Sequence, residues 1–222
     1  MQLFIVQFQG DHQKIVFPFS FVDIISEVSF EWHNLIFEFS PDSYRDWFIL
    51  PLQIYTSSLI RIGLISDTHG FLDEAVFTHF AGCDEIWHIG DFGTQGLAEQ
   101  LAAFKPLKGV YGNIDGADIR GHYPEQLVFM CEEVKVMLRH IGGYPPKYNP
   151  ETKKELAIHQ PQLFISGHSH ILKVMYDATL QCLHMNPGAA GKQGWHKVRT
   201  LIRFVIDGKE MKNCEVIELG NR

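Results

Sequence analysis

No two cysteines in this 222-residue chain form a CxxC pair; Cys83, Cys131, Cys182 and Cys214 stand far apart, each in or beside an apolar stretch. They read as four buried thiols in a reducing compartment rather than as a disulfide framework. A transmembrane helix needs about 18 apolar residues without charge, and no stretch of 18 residues lacks charge; the uncharged run Trp47 to Ile60 has 14 and is broken by Pro51. No spanning helix is expected. The amino-terminal end has no basic segment ahead of its apolar residues, and Asp11 comes early, unlike a secretory signal, so a cytoplasmic location is expected. Positive charge is scarce too. With 19 Lys and Arg against 26 Asp and Glu, the net charge of -7 argues against a nucleic-acid surface, although an acidic chain can still hold cationic cofactors. What is present is 45% hydrophobic and 13% aromatic character, enough for one sizeable core or for one core plus a small appendage, and against a disordered chain.

Residues 1–60 have no alanine and a single glycine, Gly10, yet hold nine of the 17 phenylalanines and only Lys14 and Arg45 as basic residues against seven acidic ones. Composition changes abruptly after them, which predicts a boundary there: residues 1–59 as a β-prone extension and 60–222 as the functional domain. Leu3–Phe8, Ile15–Val22 and Leu35–Phe39 read as short strands. No chemistry is visible in this segment, which reads as a β appendage, as a partner surface, or as a piece outside the functional domain.

From Arg61 onward the pattern is regular. Arg61–Ser66 is strand-like and Asp73–Phe80 helical; Glu85–Ile89, Thr94–Phe104 and Leu107–Tyr111 repeat strand, helix, strand, with Thr94 as a candidate cap. Such alternation predicts a largely parallel α/β sheet. The remainder reads as mostly strands, at Gln126–Met130, Val134–Leu138, Leu163–Ser166, Ile171–Tyr176, Leu180–Met185, Val198–Ile206 and Cys214–Leu219, with one helix at Pro150–His159. A β-rich sandwich flanked by helices follows.

Several of these strands run into metal-binding side chains, where open α/β sheets place their sites. Asp67 and His69 are alternate residues after the first strand, and an extended backbone would aim both into one cavity. Asp91 follows Gly90, Asn113 follows Gly112, His140 follows Val134–Arg139, and His168 and His170 alternate after Gly167. The three glycines would permit tight turns. Seven donors exceed the three protein ligands of a catalytic zinc. Two metals fit better, and with Asp91 shared each ion receives four: Asp67, His69, Asp91 and His170 at one, Asp91, Asn113, His140 and His168 at the other. Singly these motifs are weak, since Gly-Asp and Gly-Asn are ordinary turn formers; their order at successive strand ends is what carries the reading. The other histidines, among them His184 and His196, read as surface or packing residues, with His88 and His122 near enough in sequence to line the cleft.

The ordered set DTH, GD, GN, lone His and GHSH resembles the calcineurin-like metallophosphoesterase superfamily, and the short chain resembles its YfcE-like phosphodiesterase branch, as does Asn186-Pro187-Gly188. The resemblance spans about Ile60 to Leu219. It implies a four-layer α/β/β/α sandwich, two divalent metals divided as above, and hydrolysis of phosphoester bonds in a small substrate by a hydroxide bridging the metals, with Asp91, Asn113 and His140 as catalytic residues. Manganese is the first choice by resemblance; nickel, iron, cobalt and zinc suit the mixed donors as well. Two departures matter. Ile114 stands where many relatives carry a histidine that protonates the leaving group, which favours phosphodiesters or activated esters, and Gly142 stands where the branch often has a second histidine. The loop Gly143–Tyr148 offers Tyr144 and Lys147 as substrate contacts, or is only a surface turn. The rival expectation is a non-catalytic protein-interaction scaffold of the same fold, as in the retromer subunit that resembles these enzymes.

Overall fold

The computed structural model describes residues 59–222 throughout and, before them, the strands β1 (Leu3–Gln7) and β2 (Lys14–Pro18). The chain divides into two compact units, Met1–Ile54 and Tyr55–Arg222. In the first, β1 and β2 pair antiparallel, Leu3 opposite Pro18 and Gln7 opposite Lys14. The strand expected at Leu35–Phe39 lies outside the described residues.

The second unit runs β3 (Ile60–Ile65), α1 (Ala75–Phe80), β4 (Glu85–His88), α2 (Gln95–Phe104), β5 (Leu107–Gly109), α3 (Ala117–Arg120), β6 (Gln126–Cys131), β7 (Val134–Arg139), β8 (Gly143–Tyr144), β9 (Lys147–Tyr148), α4 (Pro150–His159), β10 (Leu163–Ile165), β11 (Lys173–Asp177), β12 (Cys182–Asn186), β13 (Val198–Asp207) and β14 (Glu210–Asn221). Two five-stranded sheets result, ordered β14-β13-β3-β4-β5 and β11-β12-β10-β7-β6. In the first, β3, β4 and β5 run parallel with β5 at one edge, and antiparallel β13 and β14 complete the other side; in the second, β7, β10 and β12 are parallel at the centre and antiparallel β6 and β11 form both edges.

Side-chain alternation builds the layers. Ile62 and Leu64 of β3, Trp87 of β4, Val136 and Leu138 of β7, Leu163 and Ile165 of β10, and Ile202 and Phe204 of β13 meet between the sheets. The opposite faces of β3, β4 and β13 send Ile65, Ile86 and Leu201 against Val76 and Phe80 of α1, Leu97 and Leu101 of α2 and Ile119 of α3. On the far side, Met137 and Phe164 pack with Leu156 of α4. The architecture is therefore a four-layer α/β/β/α sandwich. Two of its helices are started by local chemistry: Thr94 accepts a hydrogen bond from the Leu97 N–H at the start of α2, and Asn149 accepts one from the Thr152 N–H at the start of α4, whose first residue is Pro150.

Three features differ from the sequence expectation. Helix α3 is a single turn, too short to leave a periodic signal. The Gly143–Tyr148 stretch is a β-hairpin, β8 with β9. Cys214 is exposed while the other three thiols are buried; β14 is an edge strand, and its pairing with β13 shifts register between Glu215 and Lys212, the stretch that holds Cys214.

Candidate metal centre

All the candidate donors lie just beyond the carboxyl ends of parallel strands. Asp67 and His69 follow β3, Asp91 follows β4, Asn113 follows β5, His140 follows β7, and His168 and His170 follow β10. The segments are not extended, as alternation alone would have them. Asp67, His69, Asp91, His168 and His170 all adopt left-handed backbone, with φ of 53°, 49°, 56°, 64° and 55°. Each such non-glycine residue costs on the order of 1–3 kcal/mol, and strain of this kind gathers at functional sites. Here it is held by hydrogen bonds to the neighbouring strand: the Asp67 N–H donates to the Gly90 carbonyl (3.1 Å) and the His69 N–H to that of Asp91 (3.0 Å). Between them Thr68 turns away, its Oγ1 2.9 Å from His88 Nε2.

Six donors converge into two groups, Asp67 with His69 and His170, and Asp91 with His140 and His168. In the first, His170 Nε2 lies 3.1 Å from Asp67 Oδ1 and 3.3 Å from His69 Nε2. In the second, His140 Nε2 lies 3.3 Å from Asp91 Oδ2. The same Asp91 oxygen is 3.7 Å from His69 Nε2, so it faces both groups.

The outer atoms of these side chains are tied down and the inner ones are not. Asp67 Oδ2 accepts from Ser66 Oγ (2.5 Å) and the His168 N–H (3.1 Å), Asp91 Oδ1 accepts from the Ile114 N–H (3.1 Å), and His140 Nδ1 donates to the Ile89 carbonyl (2.6 Å). Asp67 Oδ1 and His140 Nε2 are fully buried without a hydrogen-bond partner, their approaches to neighbours being close but misaligned. Buried polar atoms left bare are costly. A divalent cation would satisfy both, and the carboxylate and imidazole donor set fits one. Electrostatics match. Burial alone would raise the Asp91 carboxyl, but the adjacent His140 ring, the Ile114 N–H and His69 outweigh it and hold the carboxyl below its ordinary value. Burial pulls His140 down, and the neighbouring Asp91 and Asp67 carboxylates override it and raise it. His168, by burial and by His140, is lowered.

The glycines before the donors serve different ends. Gly90 has φ of 86° and a turn that a side chain would strain. Gly112 and Gly167 instead provide space: a Cβ at 112 would lie 2.0 Å from Asp91 Oδ1, and one at 167 would lie 2.3 Å from Ser66 Oγ. At Gly142 a Cβ would meet Phe164 Cζ at 2.4 Å, so the ring of Phe164 fills the space that a histidine side chain would need.

Asn113 sits at the exposed rim beyond Gly112, its carbonyl accepting from Arg120 Nη2 at 3.3 Å. On the hairpin, Lys147 is exposed and Tyr144 carries Lys173 Nζ 3.3 Å from its ring centroid. His88 is fully buried and stacked on Phe92, a packing residue under the site. His122 is exposed and bonds to the Asp118 carbonyl. His196, which the sequence reads as a surface or packing residue, instead has its Nδ1 3.3 Å from His170 Nδ1. Only its neighbours Gly194 and Trp195, in a stretch without periodicity, could have drawn attention to it.

The comparisons agree with this geometry. A family model described as the calcineurin-like phosphoesterase superfamily domain matches residues 60–209. The chain is 31% identical over 171 residues to the "probable metallophosphoesterase" of Methanothermobacter thermautotrophicus, across 72% of this chain and 92% of that protein. Among solved structures, a predicted phosphoesterase of Streptococcus pneumoniae is similar with a TM-score of 0.54 at 20% identity, over 72% of this chain and 90% of that one. Vacuolar protein sorting 29 of Cryptosporidium parvum is similar with a TM-score of 0.58 at 18% identity, over 73% and 98%. At those identities the two structures share the fold alone.

Proposed function

Because this chain belongs to the calcineurin-like phosphoesterase superfamily, we propose that it is a cytoplasmic hydrolase of small phosphodiesters that works with two divalent metal ions, manganese first among them. The observation that carries this reading is the pair of three-residue groups, with Asp67 Oδ1 and His140 Nε2 bare and buried between them. Asp67, His69 and His170 would hold one ion and His140, His168 and the Asn113 amide the other, with Asp91 shared. Such ions, when bound, supply Lewis acidity that lowers the pKa of water and neutralises phosphoryl charge.

The chain's own contribution is positioning. The Ile114 N–H anchors one Asp91 oxygen and leaves the other facing both groups, while the Ile89 carbonyl fixes the His140 ring with Nε2 inward. Such outer hydrogen bonds set the tautomer and aim of a ligand. Asn113 and His140 would meet phosphoryl oxygens, and Tyr144 and Lys147 would contact the rest of the substrate. Ile114 is 48% exposed at the rim and carries no proton to give, so esters with good leaving groups are favoured. The likeness to vacuolar protein sorting 29 favours a second reading, an interaction scaffold.

Turnover separates the two. The purified chain, supplied in turn with manganese, nickel, iron, cobalt and zinc, should hydrolyse a nitrophenyl diester faster than an alkyl monoester, and fastest with manganese. Two bound ions with no turnover of any ester would favour the scaffold.

A further inference from the structure

We propose that His196 is a positioning residue for His170, accepting the Nδ1 proton of that ring and so fixing the tautomer that turns a bare Nε2 toward Asp67 and His69. The inference rests on the reading of those three residues as a metal-binding group.

With both rings neutral and Asp67 Oδ1 receiving no hydrogen bond, the pattern has one assignment. His170 Nε2 is the inward nitrogen, 3.1 Å from Asp67 Oδ1 and 3.3 Å from His69 Nε2. Its Nδ1 points outward to His196 Nδ1 at 3.3 Å, the rings crossing at 67° with centroids 5.2 Å apart. The other nitrogen of His196, Nε2, lies 3.0 Å from the Gly191 carbonyl, which can only accept. His196 Nε2 therefore carries the hydrogen, and in a neutral imidazole its Nδ1 is then an acceptor. His170 Nδ1 must donate to it, which leaves His170 Nε2 with its lone pair free for a metal.

The relay is fastened to the site it serves. The Gly191 N–H donates to the Asp67 carbonyl at 3.0 Å, so the oxygen that orients His196 belongs to a residue bonded to the DTH segment itself. Gly194 packs so closely on His170 that a Cβ there would lie 2.1 Å from Nδ1, and its carbonyl receives the Arg222 guanidinium. The segment between β12 and β13 is thus clamped over the His170 ring. His140 achieves the same end through a main-chain oxygen, Ile89. The two groups therefore differ in how they are held: among the described residues, a distant side chain orients a donor ring only in the group containing His170.

Two measurements test this. Long-range proton–nitrogen correlation spectra of the metal-free wild-type chain, labelled at histidine, should show His170 protonated on Nδ1 and His196 on Nε2. Manganese titration should then show two sites in the wild type. In His196→Phe one of them should be weakened about 10- to 100-fold, the range for lost outer-shell bonds to a metal ligand, with the second unchanged. His196→Gln, whose amide offers both an acceptor and a donor, should restore most of the loss. A His170 protonated on Nε2 would overturn the proposal, and would do so even if the Phe variant failed to fold. A wild type that binds two ions and a folded Phe variant that binds both as tightly would overturn the role of His196 alone. A wild type that binds no metal would overturn the metal reading, and this proposal with it.

Discussion

His184 illustrates what burial does to one residue away from the metal donors. It lies on β12 with Nε2 3.0 Å from Ser166 Oγ and Nδ1 buried without a partner. Burial, reinforced by the charge of Lys173, pushes its pKa down to about 4 from 6.5. The folded state therefore keeps the ring neutral while the unfolded chain takes up a proton, so the stability this residue allows is fully present above pH 6.5 and is lost as pH falls toward 4. That loss is about 3 kcal/mol at pH 4. In metal-free protein, denaturant unfolding from pH 7 to 4 should show a shallower acid decline for His184→Leu than for the wild type. Parallel declines would mean that the ring is not the acid-labile group.

Among the elements, α4 is the one whose cap also touches the site. Asn149 Oδ1 accepts from the Thr152 N–H at 2.7 Å, and its Nδ2 donates to the Ile141 carbonyl at 2.7 Å, one residue beyond His140. Arg139, immediately before His140, pairs with Glu151 in the first turn of the same helix at 2.8 Å. The helix start and the end of β7 are thus fastened together. Asn149→Ala should destabilise the fold by about 1–2 kcal/mol, the usual effect of losing a cap, while Asn149→Asp keeps the acceptor and should recover part of it. Equal unfolding midpoints for Asn149→Ala and the wild type would show that the cap is idle.

For the whole molecule, every clustered donor and every element from β3 to β14 falls within Tyr55–Arg222. All seven expected donors, from Asp67 to His170, follow residue 58 in the sequence. A chain beginning at Leu59 should therefore fold, bind the same two ions and keep its diesterase rate, and it should be more soluble if β-prone apolar segments ahead of it invite edge pairing. Metal content, melting temperature and rate, compared with those of the full chain, give the answer. An insoluble or metal-free product would place the first segment in the core.

The sequence by itself determined the donor types, their order at strand ends, and the alternation that divides each strand between two cores. The helix cap at Thr94 was equally legible, because a cap is a contact over three residues. Alternation did not explain the convergence of Asp67 with His69 or of His168 with His170: the chain turns through left-handed backbone at all four, held at Asp67 and His69 by main-chain bonds to Gly90 and Asp91 and at His168 by its N–H to Asp67 Oδ2. Likewise Gly112 and Gly167 read as turn formers, yet their lack of a side chain leaves space for Asp91 and for Ser66. His196 left no signal, since it meets His170 from 26 positions away. Local periodicity and capping act within a few residues and can be read along the chain. The meeting of Asp67 with His170 joins positions 103 residues apart in sequence, and it exists only because the apolar faces of two sheets pack and bring their strand ends to one cleft.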